Sequence, residues 1–162
     1  VILEEFNIIK EQEGDNFFFN HLGCFCYGLR GPIGTWCGYV CIDKKFLNIN
    51  IDIFGSFSVH GGITFETKVN KPHLDLIKKV LNENSINLKI GDYVIGFDTA
   101  HHGDFIPGID LTNKFRLSLN STNPIYRDKE YVMEECKDLA LQVNKKFDGA
   151  NYVHKIFKKL NK

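Results

Sequence analysis

Apolar and polar positions along this chain first follow the two-residue period of strands and later the three-to-four-residue period of helices. Residues 17–27 read F-F-F-N-H-L-G-C-F-C-Y, and this aromatic run predicts a strand because such rings suit a pleated, half-buried surface. Residues 28–34 are rich in glycine and proline and read as a loop. Residues 34–42, G-T-W-C-G-Y-V-C-I, predict a second strand, and within residues 44–54 Leu47, Ile49, Ile51 and Ile53 are spaced by two, as a half-buried strand requires. A His60-Gly61-Gly62 turn leads into alternation from Ile63 to Glu66, and Tyr93-Val94-Ile95 forms a short buried run.

The period changes over residues 73–84, where Leu74, Leu76, Ile77, Val80 and Leu81 fall at helical spacing behind Pro72. Residues 105–123 carry Pro107 and Gly108 and read as a long loop crossing the region of the histidines. The clearest helix starts at Asp128, whose side chain can cap it. Val132, Cys136, Leu139, Val143 and Phe147 then form one apolar stripe, which Gly149 is expected to end before a last amphipathic segment. Residues 1–13 fit a short helix or an edge strand equally well. Together these elements predict a single α+β domain over residues 1–162, with a mainly antiparallel or mixed sheet packed by the long helix of the C-terminal half.

Composition narrows the partners. At 162 residues the chain can bury roughly two-thirds of its unfolded surface. Its 20 basic and 20 acidic residues cancel, so no global field favours duplex nucleic acid or an anionic membrane. No apolar run approaches the ~20 residues of a membrane span, and the opening V-I-L-E-E-F has acids where a signal peptide has bases. A cytoplasmic protein is expected. Cys24, Cys26, Cys37 and Cys41 lack paired C-x-x-C knuckles and read as small buried strand residues rather than a zinc site.

Chemistry concentrates where apolar runs meet glycine-flanked turns. Residues 95–104, I-G-F-D-T-A-H-H-G-D, bring Asp98, His101, His102 and Asp104 together, and His60 and Glu66 flank the earlier turn. Imidazoles and carboxylates can divide general acid and base roles, or His60, Asp98, His101 and Asp104 can share a divalent metal that activates water. A metal is accordingly a candidate cofactor. Arg127, just before the helix cap, is placed to reach Asp98 or Asp104. Arg30, inside the Gly/Pro-rich loop, reads as an exposed cation or a contact for an anionic substrate group.

Three segments occur as an ordered set: G-Y-V at residues 38–40, V-H-G-G-I-T-F at 59–65 and G-F-D-x-A-H-x-G-D at 96–104. They are followed by Tyr126-Arg127, then Y-V-x-x-E at 131–135 with Leu139, Ala140 and Gln142. The set resembles a widespread, poorly characterised family of small proteins from bacteria and their phages, over the middle and C-terminal two-thirds of the chain. Several members of that family carry a cysteine where this chain has Thr99. The resemblance implies the position of the site and a setting in the contest between phages and bacterial immunity, in a bacterial or phage-infected cell.

Three readings follow. One is a hydrolase acting on a small polar, nucleotide-derived molecule through His60, Asp98, His101, Asp104 and Glu66. A second is a non-catalytic, phage-type sponge that sequesters a nucleotide immune signal. It would stack a base on Trp36, Tyr39 or Phe97 and bring phosphates to the Gly61-Gly62 backbone, with His102 and Arg127 as further ligand contacts. The third assigns these residues to turn geometry and capping alone. Assembly into a homo-oligomer is compatible with each of the three.

Overall fold

A computed structural model describes residues 3–47, 57–112 and 123–160, with the side chains of 149–157 left aside. Helix α1 (Leu3–Glu13) opens the chain, followed by strands β1 (Asn16–His21), β2 (Cys24–Arg30) and β3 (Trp36–Ile42). A 3-10 turn at Lys44–Phe46, strand β4 (Phe65–Lys68), helix α2 (Lys71–Leu81) and strand β5 (Tyr93–Asp98) come next. A one-turn helix α3 (Pro107–Asp110) and the long helix α4 (Lys129–Leu160) complete the described elements. The strands form one sheet in the order β1-β2-β3-β5-β4, with every neighbouring pair antiparallel. The α+β class with a C-terminal-half helix on the sheet is what the periodicity predicts.

Alternation gives the sheet two buried faces. Cys24 and Cys26 of β2, Trp36, Val40 and Ile42 of β3, and Ile95 and Phe97 of β5 pack with Val132, Cys136, Leu139, Val143 and Phe147 of α4. On the reverse face Phe25, Tyr27, Cys41 and Val94 meet Ile77 and Leu81 of α2. The α4 stripe predicted from residues 132–147 is thus the face laid on the sheet. Among the described residues no helix is long and apolar enough to cross a membrane. All five cysteines are free, and burial pushes the thiols of Cys24 and Cys136 up to about 11 and about 12.

Several expectations are corrected. The 17–27 run is a hairpin rather than one strand: Leu22 and Gly23 both take positive φ (50° and 77°), the geometry of a two-residue hairpin turn. Strand β2 then continues through Arg30, so the loop begins only at Gly31. Lys44–Phe46 turns helically because Asp43 caps it, accepting from the Lys45 amide. Of the strand expected there, Ile49, Ile51 and Ile53 lie outside the described residues. Most of the loop expected at 105–123 lies outside them too, and its described start holds α3. Helix α4 does not end at Gly149 but runs on to Leu160. One interior glycine costs only about 1 kcal/mol against alanine, and no proline follows to break the run. Residues 3–13 are helical, with Phe6 as their buried anchor.

Arg30 is neither exposed nor free. Its side chain is 2% exposed and donates to Glu13 Oε2 at 2.7 Å and to the Tyr126 hydroxyl at 2.6 Å, with its guanidinium 4.5 Å from the Trp36 ring centre. Glu13 also accepts from Trp36 Nε1, the Tyr126 hydroxyl and the Lys129 amide. Burial alone would raise the Glu13 carboxyl, but these donors outweigh it and hold the carboxyl below its ordinary value. The cluster ties α1 and β2 to the N-terminus of α4, and through Tyr126 it fixes the backbone next to Arg127.

Candidate functional site

Sheet order brings the two glycine-containing turns together. Strand β4 pairs antiparallel with β5, so the turn entering β4 lies beside the turn leaving β5, and the Thr64 amide donates to the Gly96 carbonyl to extend the pairing. At this edge the His60 and His101 rings stand 5.5 Å apart. Gly61 makes the approach possible. It adopts φ +65°, and a Cβ there would lie 2.0 Å from His101 Nε2. Asp98 shapes the second turn by accepting from the Ala100 amide at 3.0 Å. Thr99 is 1% exposed and exchanges two hydrogen bonds with the Trp36 backbone. Its hydroxyl therefore continues the β3–β5 ladder and faces no ligand.

Asp104 is the hub. Its side chain is 2% exposed; Oδ2 lies 2.7 Å from His60 Nε2 and accepts from the His101 amide at 3.0 Å, while Oδ1 accepts from Arg127 Nε at 3.0 Å. Burial pushes this carboxyl upward, yet the bonds from His60, Arg127 and the His101 amide outweigh it and hold the carboxyl below its ordinary value. An ionised carboxylate only accepts, so neutral His60 carries its proton on Nε2. Nδ1 is then the acceptor for the Tyr131 hydroxyl, 2.9 Å away. Burial and the neighbouring Glu135 raise the Tyr131 phenol, against the pull of the Arg127 guanidinium, which lies 4.7 Å from the ring centre. The result is a continuous chain, Arg127–Asp104–His60–Tyr131.

Helix α4 supplies the platform. Residues Tyr131, Glu135, Asp138 and Gln142, at steps of four, three and four, line one side of it. Glu135 accepts from the His60 amide at 2.8 Å. Gln142 accepts from the Ser58 amide and donates to the Ser58 carbonyl, imitating a strand neighbour, and also bonds Asp138. The segment before His60 is thereby pinned to the helix. Tyr131 and Glu135 belong to the Y-V-x-x-E motif at 131–135, to which the sequence reading assigns no part in the site, although their i, i+4 spacing on a helix is a signal that both face one way.

Other expected site residues lie elsewhere. Trp36 and Phe97 are 0% and 1% exposed in the core, and Tyr39 is stacked on Tyr27 on the opposite face of the sheet, with Phe65 edge-on. None of the three offers a free face to a base, because each ring is held by its strand's inward register. Glu66 is exposed on β4 opposite Ile95 and interacts with Tyr93. His102 is exposed at the tip of its turn, and Gly62, with φ +85°, has open space around it. Asp98 Oδ1 lies 3.4 Å from His101 Nε2, within ion-pair range but without hydrogen-bond alignment, so that nitrogen is buried without a hydrogen-bond partner.

Metal ligation by His60, Asp98, His101 and Asp104 is not what this geometry offers. Among the described residues no group of three or more His, Cys, Asp or Glu side chains is arranged to hold an ion. Arg127 and His60 already take one carboxylate oxygen each of Asp104, so a guanidinium stands where a shared cation would. Comparison with protein-family models, curated proteins and solved structures finds no match.

Proposed function

We propose that the chain is a hydrolase of a small polar molecule that works by proton transfer between side chains. One observation carries this reading: the hydrogen-bonded run from Asp104 to His60 to Tyr131, at 2.7 and 2.9 Å, with a second imidazole 5.5 Å from the first. A buried carboxylate behind an imidazole fixes its tautomer and steadies the imidazolium that forms when the far nitrogen takes a proton. Tyr131 passes on that basicity. As water attacks the substrate, its proton moves to the phenol oxygen while the phenol proton moves to His60 Nδ1. The leaving group takes that proton back from His60 Nδ1 through the Tyr131 hydroxyl, so the relay ends as it began, while His101, whose Nε2 is buried against Gly61 and beside Asp98, shapes the wall of the site. Arg127 sets the position of Asp104 and lies beside the Tyr131 ring.

Nucleotide-derived substrates are the class to try first, on the strength of the resemblance to small bacterial and phage proteins. Support for the sponge reading is weaker, since its stacking residues Trp36 and Phe97 are closed in the core. The test is incubation with a panel of cyclic and ADP-ribose-type nucleotides, denaturation of the protein, and chromatography of what is released. Conversion by the wild-type chain is expected, with Tyr131→Phe and His60→Ala each slower by ~100-fold or more and the double variant little worse than either. Recovery of intact nucleotide from a tight complex would replace catalysis with sequestration. Undiminished turnover in Tyr131→Phe would remove the relay.

A further inference from the structure

The two edges of the sheet are built differently. Strand β4 has four residues and places the charged Glu66 and Lys68 on its edge. Charges and shortness are devices that keep a free edge from pairing. Strand β1, the other edge, has six residues, N-F-F-F-N-H, with no lysine, arginine, carboxylate or proline, and its only strand neighbour among the described elements is β2. Alternate backbone N–H and C=O groups of β1 therefore point away from the sheet. Phe18, on the α2 face opposite Tyr27, is 42% exposed. Val80 of α2, also exposed, is held beside the strand by the Asn16 Nδ2 bond to its carbonyl, and Leu76 lies one turn before it.

The strand is also a palindrome. Asn16-Phe17-Phe18-Phe19-Asn20 reads the same in both directions about Phe18, and an antiparallel partner runs in the reverse direction. We infer that β1 pairs with β1 of a second copy of this chain about a twofold axis through Phe18, joining two five-stranded sheets into one. In that register Phe18 faces Phe18, Phe17 faces Phe19, and Asn16 faces Asn20. Opposite residues share a face of the sheet, so this pairing puts both α2 helices on one side and both α4 helices on the other, as a continuous sheet requires. One residue further out, Asp15 faces His21, a complementary pair when the imidazole is protonated. On the α4 side Lys137 lies over Phe19 with its charge taken by Glu134, so the two lysines do not drive the copies apart.

A paired strand of six residues is about 20 Å long, which places the contact near the small end of specific interfaces, roughly 1,200 Å² or less. A reversible dimer with a micromolar dissociation constant is expected. Sedimentation equilibrium of the 18.6 kDa chain from 1 to several hundred micromolar (on the order of typical weak-interface constants) tests it, with circular dichroism as the check on folding. Phe18→Lys and Phe18→Glu change an exposed side chain, so each should remain folded and become monomeric, because like charges then oppose across the axis. An equimolar mixture of the two variants should dimerise again. A wild-type chain that stays monomeric throughout, a dimer indifferent to Phe18→Lys, or folded variants that fail to recover on mixing would each overturn the proposal.

Discussion

Replacing Asp104 by asparagine tests the hub of the site at almost constant volume. The carboxylate is 2% exposed and receives three donors: His60 Nε2, Arg127 Nε and the His101 amide. An amide has one oxygen for these donors. If that oxygen takes the place of Oδ1 and keeps Arg127, the NH₂ group faces both the His101 amide and His60 Nε2 and drives the imidazole proton to Nδ1, where it opposes the Tyr131 hydroxyl. Hydrogen bonds to charged groups contribute ~1.5 to 3 kcal/mol each, and breaking a buried pair costs ~3 to 5 kcal/mol. Arg127 is 25% exposed and His60 12%, so solvent recovers part of this, and Asp104→Asn should lose ~2 to 4 kcal/mol in urea unfolding. The difference should also depend on pH with a definite sign. The folded carboxyl lies below its ordinary 3.8, so the wild-type advantage is full above that value and disappears as pH falls through the depressed folded value. Nitrogen NMR of the His60 ring should show the tautomer change. A loss below about 0.5 kcal/mol with an unchanged tautomer would mean that Asp104 does not hold the imidazole.

Two further substitutions probe the turns and the platform. Gly61→Ala places a Cβ against His101 at a positive φ; it should cost ~1 to 3 kcal/mol and displace the His101 ring resonances, and neutral behaviour in both measurements would contradict the close approach. Leu139→Ala, at a site with 0% exposure under the sheet, should cost ~2 to 5 kcal/mol by thermal or urea unfolding, and a near-neutral result would turn the helix the other way.

Periodicity was enough for the α+β class and for the face of α4 that packs on the sheet, because side chains such as Val132, Cys136 and Leu139 repeat on one side. It failed where a single backbone conformation decides the outcome. Nothing in Leu22-Gly23 announces a hairpin turn as Asn-Gly would, since leucine at positive φ is held by the pairing around it rather than by its own preference. Arg30 was hidden by its glycine- and proline-rich neighbours, while its partners Glu13 and Tyr126 lie far away in sequence. The aromatics expected to greet a ligand failed for a related reason: composition marks Trp36 and Phe97 as large rings, and only strand register tells which way they point. His60, His101 and Asp104 were legible because a charged residue at the end of an apolar run has few places to go. Tyr131 and Glu135 stood in the Y-V-x-x-E motif without a role, because a helix side that pins a segment from another part of the chain looks, in sequence, like an ordinary solvated face.

The Ser58 and His60 anchors have a consequence for the time course of folding. Ser58 reaches Gln142 across 84 residues, and the His60 amide reaches Glu135 across 75. The entropy of closing such loops must be met before any of these bonds forms, so contacts of this span arise late. The hairpin of β1 and β2 can assemble from neighbouring residues, whereas the imidazole at position 60 gains its helix partners only once α4 has docked. On a ribosome still translating residue 120, the β1–β2 hairpin has been made, and the hydrogen-bonded run from Asp104 through His60 to Tyr131 does not yet exist.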